Sequence, residues 1–149
     1  MAPNPSTVPA VKAKLQTMFA AAVESDSTEV WRNRPNEDHQ LAENVYIGGT
    51  RGRREFKTVG RALANQREEA YSVTIDVEIY RQGSDEEGTE ARLWTIVAAL
   101  EQAVAENPTL EPVPNVSWVI VDEFQQETMS STDGVLAKCT FMVAVTARI

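Results

Sequence analysis

The residues that could carry catalysis are few, and they are scattered along the chain. The one histidine, His39, lies in a polar loop with no second histidine elsewhere, and metal sites usually need several nitrogen or sulfur ligands. The one cysteine, Cys139, lies on the apolar side of a predicted strand, whereas a nucleophilic thiolate needs an accessible, electropositive setting. We therefore predict a surface histidine, a buried structural thiol and no intrachain disulfide.

Two further patterns match catalytic or ligand-binding motifs only in part. Asp76 and Glu78 lie on one side of a predicted strand, as a glycosidase carboxylate pair might, but they alternate with Thr74 and Tyr80 as on a solvated face. The Gly-Gly-Thr-Arg-Gly run at residues 48–52 lacks the Lys-Ser/Thr ending and the following helix of a phosphate-binding loop. It is predicted to be a turn. The sequence thus contains no complete motif for a catalytic, cofactor or metal site.

Charge is distributed unevenly along the chain, which carries a net charge of −8. Residues 1–67 hold ten Lys/Arg and seven Asp/Glu, whereas residues 68–149 hold four and fifteen. The basic residues of the stretch 50–67 are Arg51, Arg53, Arg54, Lys57, Arg61 and Arg67. So acidic a chain is a poor general binder of nucleic acid. We therefore predict that this stretch, chiefly Arg51 to Arg61, contacts another copy of the chain or a protein partner.

The elements that would position these residues follow the order helix, several strands, helix, two strands. Helical spacing predicts a first helix over residues 11–23 and a second that begins at Ser84 or Thr89 and ends at Asn107-Pro108. Alternation predicts strands over residues 29–32, 43–47, 71–81, 116–124 and 135–149, with part of 50–59 as another. Gly48 and Gly49 are expected to close the second strand. An Asp-Gly turn at residues 133–134 is expected to precede the last one.

These elements predict an α+β domain of two layers. Short connections favour antiparallel pairing, and two amphipathic helices can cover one face of a mixed or mostly antiparallel sheet of about four to five strands. Residues 1–9 are expected to form a flexible N-terminal arm and residues 10–149 a single domain. No apolar run reaches the ~20 residues of a membrane helix, and the start of the chain lacks signal-peptide features. We expect a cytoplasmic protein without a membrane partner.

This layout resembles the small tail terminator and neck proteins of long-tailed bacteriophages. The features that carry the resemblance are the N-terminal helix, the long strand that ends in the acidic turn at residues 85–87, the helix through Ala91-Arg92-Leu93-Trp94 to Asn107-Pro108, and a closing pair of strands. The resemblance implies a virion protein that assembles in the host cytoplasm. It would form a homohexameric ring, cap the tail tube, end its polymerisation and join the tail to the head connector, without cofactor or catalysis.

The resemblance also implies a pore through which DNA passes without specific binding. Acidic side chains facing such a pore would repel phosphate. The clustered acids Asp85, Glu86, Glu87 and Glu90 are the candidates for facing the pore. The alternative, purely structural interpretation is that their negative charge stabilises the N-terminus of the following helix. The alternatives are another neck protein, such as a head-closure or tail-completion adaptor, a small nucleic-acid-binding module that uses residues 51–67, and a small enzyme of similar fold.

Overall fold

The order of elements follows the sequence prediction, with two helices and five strands. The computed structural model describes residues 6–23, 28–32, 43–56 and 67–149. The elements are α1 (Val8–Val23), β1 (Thr28–Trp31), β2 (Glu43–Phe56), β3 (Arg67–Gln82), α2 (Glu86–Glu106), β4 (Val116–Ser130) and β5 (Gly134–Arg148). The predicted α+β class, with two helices and a five-stranded mixed sheet, is confirmed.

The sheet has the strand order β1-β2-β3-β5-β4. β1 runs parallel to β2, and the other three neighbouring pairs are antiparallel. β3 and β5 form the centre, because residues 68–82 pair with residues 134–148 without interruption. β4 is therefore an outer strand of the sheet. β5, the last of the five described strands in chain order, lies inside the sheet rather than at its margin.

Alternation along the central strands separates a buried face from a far face. On β3 the side chains of Val73, Ile75, Val77 and Ile79 are fully buried and face α1 and α2. Their partners on β5 are Val143, Phe141, Cys139 and Ala137. The helices contribute Val11, Leu15, Met18, Phe19, Leu93, Ile96, Val97, Leu100 and Val104. Each large apolar side chain buried in this way contributes roughly 1.5–3 kcal/mol, so the predicted strand and helix faces form the core.

α1 begins three residues earlier than the sequence predicted. The backbone carbonyl of Thr7 accepts the first helical hydrogen bond from the N–H of Val11, at 2.9 Å, and the Ser6 hydroxyl accepts from the N–H of Val8, at 3.1 Å. Pro9 is tolerated because a first-turn residue needs no helical donor. Residues 1–5 of the expected flexible arm lie outside the described residues, and Thr7 is buried.

α2 is capped by a residue other than the two that the sequence suggested. The carboxylate of Asp85 accepts a hydrogen bond from the N–H of Gly88, at 2.9 Å. The Thr89 hydroxyl donates to the Asp85 carbonyl, so Thr89 lies inside the helix. Ser84 precedes the observed N-cap residue, Asp85, by one position. The helix ends at Asn107 as predicted, and Leu110 folds back into the core.

Two strands are longer than predicted because pairing with a neighbour overrides the local sequence. β2 continues through Gly48 and Gly49 to residue 56, and its pairing with β3 shifts register between Ile47 and Thr50. The two glycines form an irregularity of the bulge type and do not end the strand. β4 runs to Ser130 and not to residue 124, since its polar second half stays paired with β5. The Ser131 N–H then bonds the Gly134 carbonyl and closes the predicted hairpin.

A charged contact fixes α2 to the other half of the sheet. Arg92 donates to both carboxylate oxygens of Glu43, at 2.8 and 2.9 Å, and the Thr28 hydroxyl donates to the same carboxylate at 2.6 Å. The hydrogen bonds from Arg92 to Glu43 raise the pKa of the guanidinium above its usual value. One buried carboxylate thus links α2, β1 and β2. No helix among residues 6–23 and 86–106 is long and apolar enough to cross a membrane.

Candidate functional site

The arginines of β2 lie on both faces of the sheet, because the irregularity at Gly48-Gly49 changes which side chains point towards the helices. Arg51 pairs with Ser72 and Arg53 with Ala70, so both arginines project from the far face. Arg54 pairs with Glu69 and projects towards the helix side. All three arginines are exposed. Lys57 and Arg61, the other predicted interface cations, lie outside the described residues.

Arg54 is held within the chain by a buried carboxylate. Its Nε donates to Glu69 Oε2 at 3.0 Å, while Glu69 Oε1 accepts from the Thr7 N–H at 3.0 Å and from the Thr7 hydroxyl at 2.9 Å. Burial alone would raise the pKa of Glu69, but hydrogen bonds from Thr7, Ser6 and Arg54 hold it below its usual value. Glu69 therefore remains ionised, and the carboxylate fastens the start of α1 to the sheet.

Tyr71 completes this cluster beside Thr7. Its hydroxyl lies 2.8 Å from the Thr7 hydroxyl. Burial, with a contribution from the Glu69 charge, raises the pKa of Tyr71 to about 12, so the phenol stays protonated. A shallow cavity of about 380 Å³ beside the cluster is lined by Arg53, Arg54, Glu69 and Tyr71 among others. The polar atoms named here are satisfied by one another, which is what a structural network requires.

A groove on the far face brings the remaining arginines together with an aromatic side chain. Arg51, Arg53 and Trp118 line the same open cavity of about 390 Å³. Trp118 reaches it from β4, across β3 and β5. Sequence reasoning found only Phe56 among these cations, because Trp118 follows them by more than sixty residues. The side chain of Phe56 lies outside the described part of the structure.

The four candidate pore-facing acids cluster at the start of α2, but three of them already bind groups of their own chain. Asp85 caps the helix. Glu86 accepts a hydrogen bond from Ser130, and Glu90 accepts one from Thr128, both on β4. Glu87 is exposed in the first turn, where an acid suits the helix dipole. Whether they face a pore stays a prediction.

The other candidates for chemistry occupy structural positions. Asp76 accepts from the Thr140 hydroxyl at 2.6 Å, and Glu78 pairs with Lys138 at 3.7 Å, so these acids are bound across the strands. Cys139 is buried, and its burial, with the nearby carboxylates, raises its pKa to about 11. His39 lies outside the described residues. Among those that are described, no three His, Cys, Asp or Glu residues form a group able to hold a metal.

Sequence reasoning missed the exposed apolar residues that cluster on β4. Trp118 is 44%, Ile120 50%, Phe124 66% and Met129 49% exposed. Trp118, Ile120 and Met129 share the far face, and Phe124 lies on the helix side because a second register shift separates it from Asp122. There it meets Trp94 of α2 edge to face, with ring centroids 5.5 Å apart. The signal that could have revealed this surface is the excess of large apolar residues on both faces of one strand.

Comparison with known proteins gives a likeness in structure alone. No protein-family model matches the sequence, and no curated protein matches it significantly. The fold is similar to that of a chain in the solved structure titled "Virion of native gene transfer agent (GTA) particle". The TM-score is 0.62 at 14% sequence identity, and the match covers 97% of this chain and 100% of that chain. At this identity the likeness establishes a shared fold, over the full length of the virion chain.

Proposed function

We propose that this protein is a structural subunit of a bacteriophage-type virion and acts as a tail terminator. In this role it forms a ring, caps the tail tube, ends tube polymerisation and joins the tail to the head connector. The observation that carries the proposal is the end-to-end match in fold to a virion chain. The layout of helices and strands supports it, since it is the layout that resembles the terminator and neck proteins. The role needs no catalysis and no cofactor.

The distribution of surface features also supports a subunit that works in an assembly. The far face carries exposed arginines at one margin, and β4 carries exposed apolar side chains at the other. A monomeric protein seldom leaves large apolar patches in water. In the proposed ring, the acids at the start of α2 line the channel and repel passing DNA.

The first experiment is to add the purified protein to growing tail tubes. A terminator stops elongation, so tube length should fall as the protein concentration rises, and the protein should be found at one end of each tube. Light scattering measures the assembly state of the protein alone: six chains of 16.5 kDa give a ring of about 99 kDa. A protein that remains monomeric and leaves tube length unchanged would refute the proposal.

Another neck protein is distinguished by its binding partner. A terminator binds purified tail tubes, whereas a head-closure or tail-completion adaptor binds heads that carry the connector. Parallel sedimentation of the protein with each preparation separates the two roles. Retention by heads alone would assign this chain to the adaptor role.

One observation favours a second function, the binding of single-stranded nucleic acid. Arg51, Arg53 and Trp118 share a groove, and cations beside an aromatic ring can bind phosphates and stack a base. The net charge of −8 opposes this function. Affinity that falls steeply with salt, and falls again in Trp118→Ala, would support it. No detectable binding of an oligonucleotide at low salt would exclude it.

A further inference from the structure

β4 presents an edge suited to another strand. It is 15 residues long and pairs with β5 on one side, and within the described part of the chain no strand pairs with its other side. Four of the six large hydrophobic residues found exposed among the described residues lie on it, and a fifth, Trp94, touches Phe124. Long apolar edge strands are templates for pairing, and proteins rarely leave them open.

An apolar groove continues this edge on the helix side. It has a volume of about 290 Å³ and lies between the end of α2 and the first half of β4. Its lining residues are Glu101, Val104, Ala105, Pro108, Val119, Ile120 and Val121. A strand added beside β4 would cover this groove and remove its apolar lining from water. The edge and the groove thus form one docking surface.

The charge on β4 limits what can dock there. Its charged residues are Asp122, Glu123 and Glu127, all acidic and all exposed. Asp122 and Glu127 project from the far face, since their partners on β5 are Met142 and Lys138. Like charges directly opposite each other on paired strands are destabilising. Two copies of β4 are therefore poor partners for each other, and the occupant should be a basic strand.

The second half of β2 is a basic strand of this kind, and it lies on the opposite side of the sheet from β4. Within the described residues, β1 pairs with β2 only at residues 43–46, and residues 50–56 pair on one side, with β3. Arg51 and Arg53 project from the far face there, the same face as Asp122. The strand directions also allow this contact. β4 runs antiparallel to β2 within one chain. A rotation about an axis parallel to the strands keeps every strand direction, so β4 of one copy would also lie antiparallel to β2 of the next copy.

We propose that β4 of one subunit pairs with residues 50–56 of β2 of a second copy, so that Asp122 and Glu123 face Arg51 and Arg53. This contact is head-to-tail: each subunit offers its acidic edge to one neighbour and its basic edge to the other. Repetition of such a contact makes a ring when the rotation closes. That the copies form a ring rests on the proposed function, and the pairing of β4 with β2 specifies which surfaces of the subunit would form it.

The test uses two charge-reversed variants of the full chain. One is Asp122→Lys with Glu123→Lys, which spoils the acidic edge, and the other is Arg51→Glu with Arg53→Glu, which spoils the basic edge. Each alone should lose assembly and scatter light as a 16.5 kDa chain. An equimolar mixture should regain assembly with the two variants alternating, because the intact acidic edge of one meets the intact basic edge of the other and the two reversed edges also carry opposite charges.

Two further variants guard against misfolding and against a general charge effect. The chain with all four substitutions exchanges the signs of the two edges, so it should regain assembly. The control, Glu87→Lys with Glu106→Lys, changes the net charge by the same amount as the acidic-edge variant but lies on α2, and it should assemble as the wild type does. Thermal unfolding of every variant verifies that it is folded.

The outcomes separate this inference from the proposed function. If both edge variants assemble as the wild type does, or if their mixture stays monomeric, the edge pairing is wrong while the terminator role stands on the tube assay. If the wild type and the mixture assemble while each edge variant alone does not, the pairing is correct whether or not the assembly binds tubes. If the wild type stays monomeric with and without tubes, the ring itself is refuted.

Discussion

Glu69 is a carboxylate held almost wholly out of water where α1 meets the sheet. Its oxygens accept from Thr7 and Arg54, so the ionised form has partners on both sides. Because its pKa lies below the ordinary value of 4.5, its ionised form favours the folded state. That contribution is fully present above the unfolded pKa and is lost as the pH falls through the lower folded pKa.

Glu69→Gln should therefore lower the free energy of unfolding by roughly 1–3 kcal/mol at neutral pH, because charged hydrogen bonds are lost from a buried site. The difference between wild type and variant should shrink as the pH falls below 4.5, since Glu69 is protonated first in the unfolded state and, at lower pH, in the folded state as well. Urea denaturation at a series of pH values measures both effects. Glu123→Gln, on the exposed part of β4, is the control and should change stability by less than about 0.5 kcal/mol. A difference that is constant with pH would contradict this account.

Cys139 should be inert in the folded protein. Its thiol is buried opposite Val77, and its pKa of about 11 leaves little thiolate near pH 8. Alkylation at that pH should be at least about a hundredfold slower than in the urea-unfolded chain, because the thiolate is the reactive form. Mass spectrometry of timed samples gives both rates. Equal rates would show that the core opens readily around this strand.

Among the helices and strands, α2 offers a test of which residue caps its N-terminus. Asp85→Ala removes the acceptor for the Gly88 N–H and should cost about 1 kcal/mol of stability. Ser84→Ala, the cap that the sequence suggested, should have an effect of less than about 0.5 kcal/mol. Chemical denaturation of the two variants compares them directly. A larger loss in Ser84→Ala would move the start of the helix back to the predicted position.

The paired strands β2 and β3 leave no room for a side chain at Gly52. A methyl group there would come within 2.3 Å of the Ala70 carbonyl oxygen and of Tyr71 Cβ, whereas one at Gly49 would meet nothing within 4 Å. Gly52→Ala should therefore destabilise the fold by roughly 1–3 kcal/mol, the usual cost of overpacking. Gly49→Ala is the matched control and should have little effect. Thermal unfolding of both variants decides whether the two strands approach this closely in solution.

Local sequence predicted the elements whose own residues determine them. The alternation of β3 and β5, the helical faces and the stop at Asn107 all depend on neighbours within a few residues. The continuation of β2 past Gly48-Gly49 and of β4 past Phe124 depends instead on hydrogen bonds from strands that are distant in sequence. For the same reason, nothing in the sequence places Trp118 beside Arg51 or ties Glu69 to Thr7. An interface at Arg51, Arg53 and Arg54 stays a prediction of the sequence, and no local pattern indicated the exposed edge of β4.

For the whole molecule, Glu87 gives the cleanest test of acids lining a channel, because Asp85, Glu86 and Glu90 also hold the fold together. On the proposed ring, Glu87→Lys should leave assembly intact and reduce DNA release from assembled particles severalfold, since a cation in the proposed channel attracts phosphate. Glu106→Lys lies about 30 Å away at the other end of α2 and is the control. DNA release is measured from purified particles. Equal release from both variants and the wild type would remove Glu87 from the channel.

The internal position of β5 has a consequence for how the subunit is made. β4 is joined to the sheet through β5, so it cannot take its place there until the ribosome has produced the strand that separates it from β3. Until then one edge of β3 is unpaired and the aromatic residues of β4 lie outside the sheet on the nascent chain, where unpaired strands are prone to aggregation. A chain interrupted before residue 134 could not complete the sheet. Translation itself would thus delay assembly of the proposed ring until the β5 segment has left the ribosome.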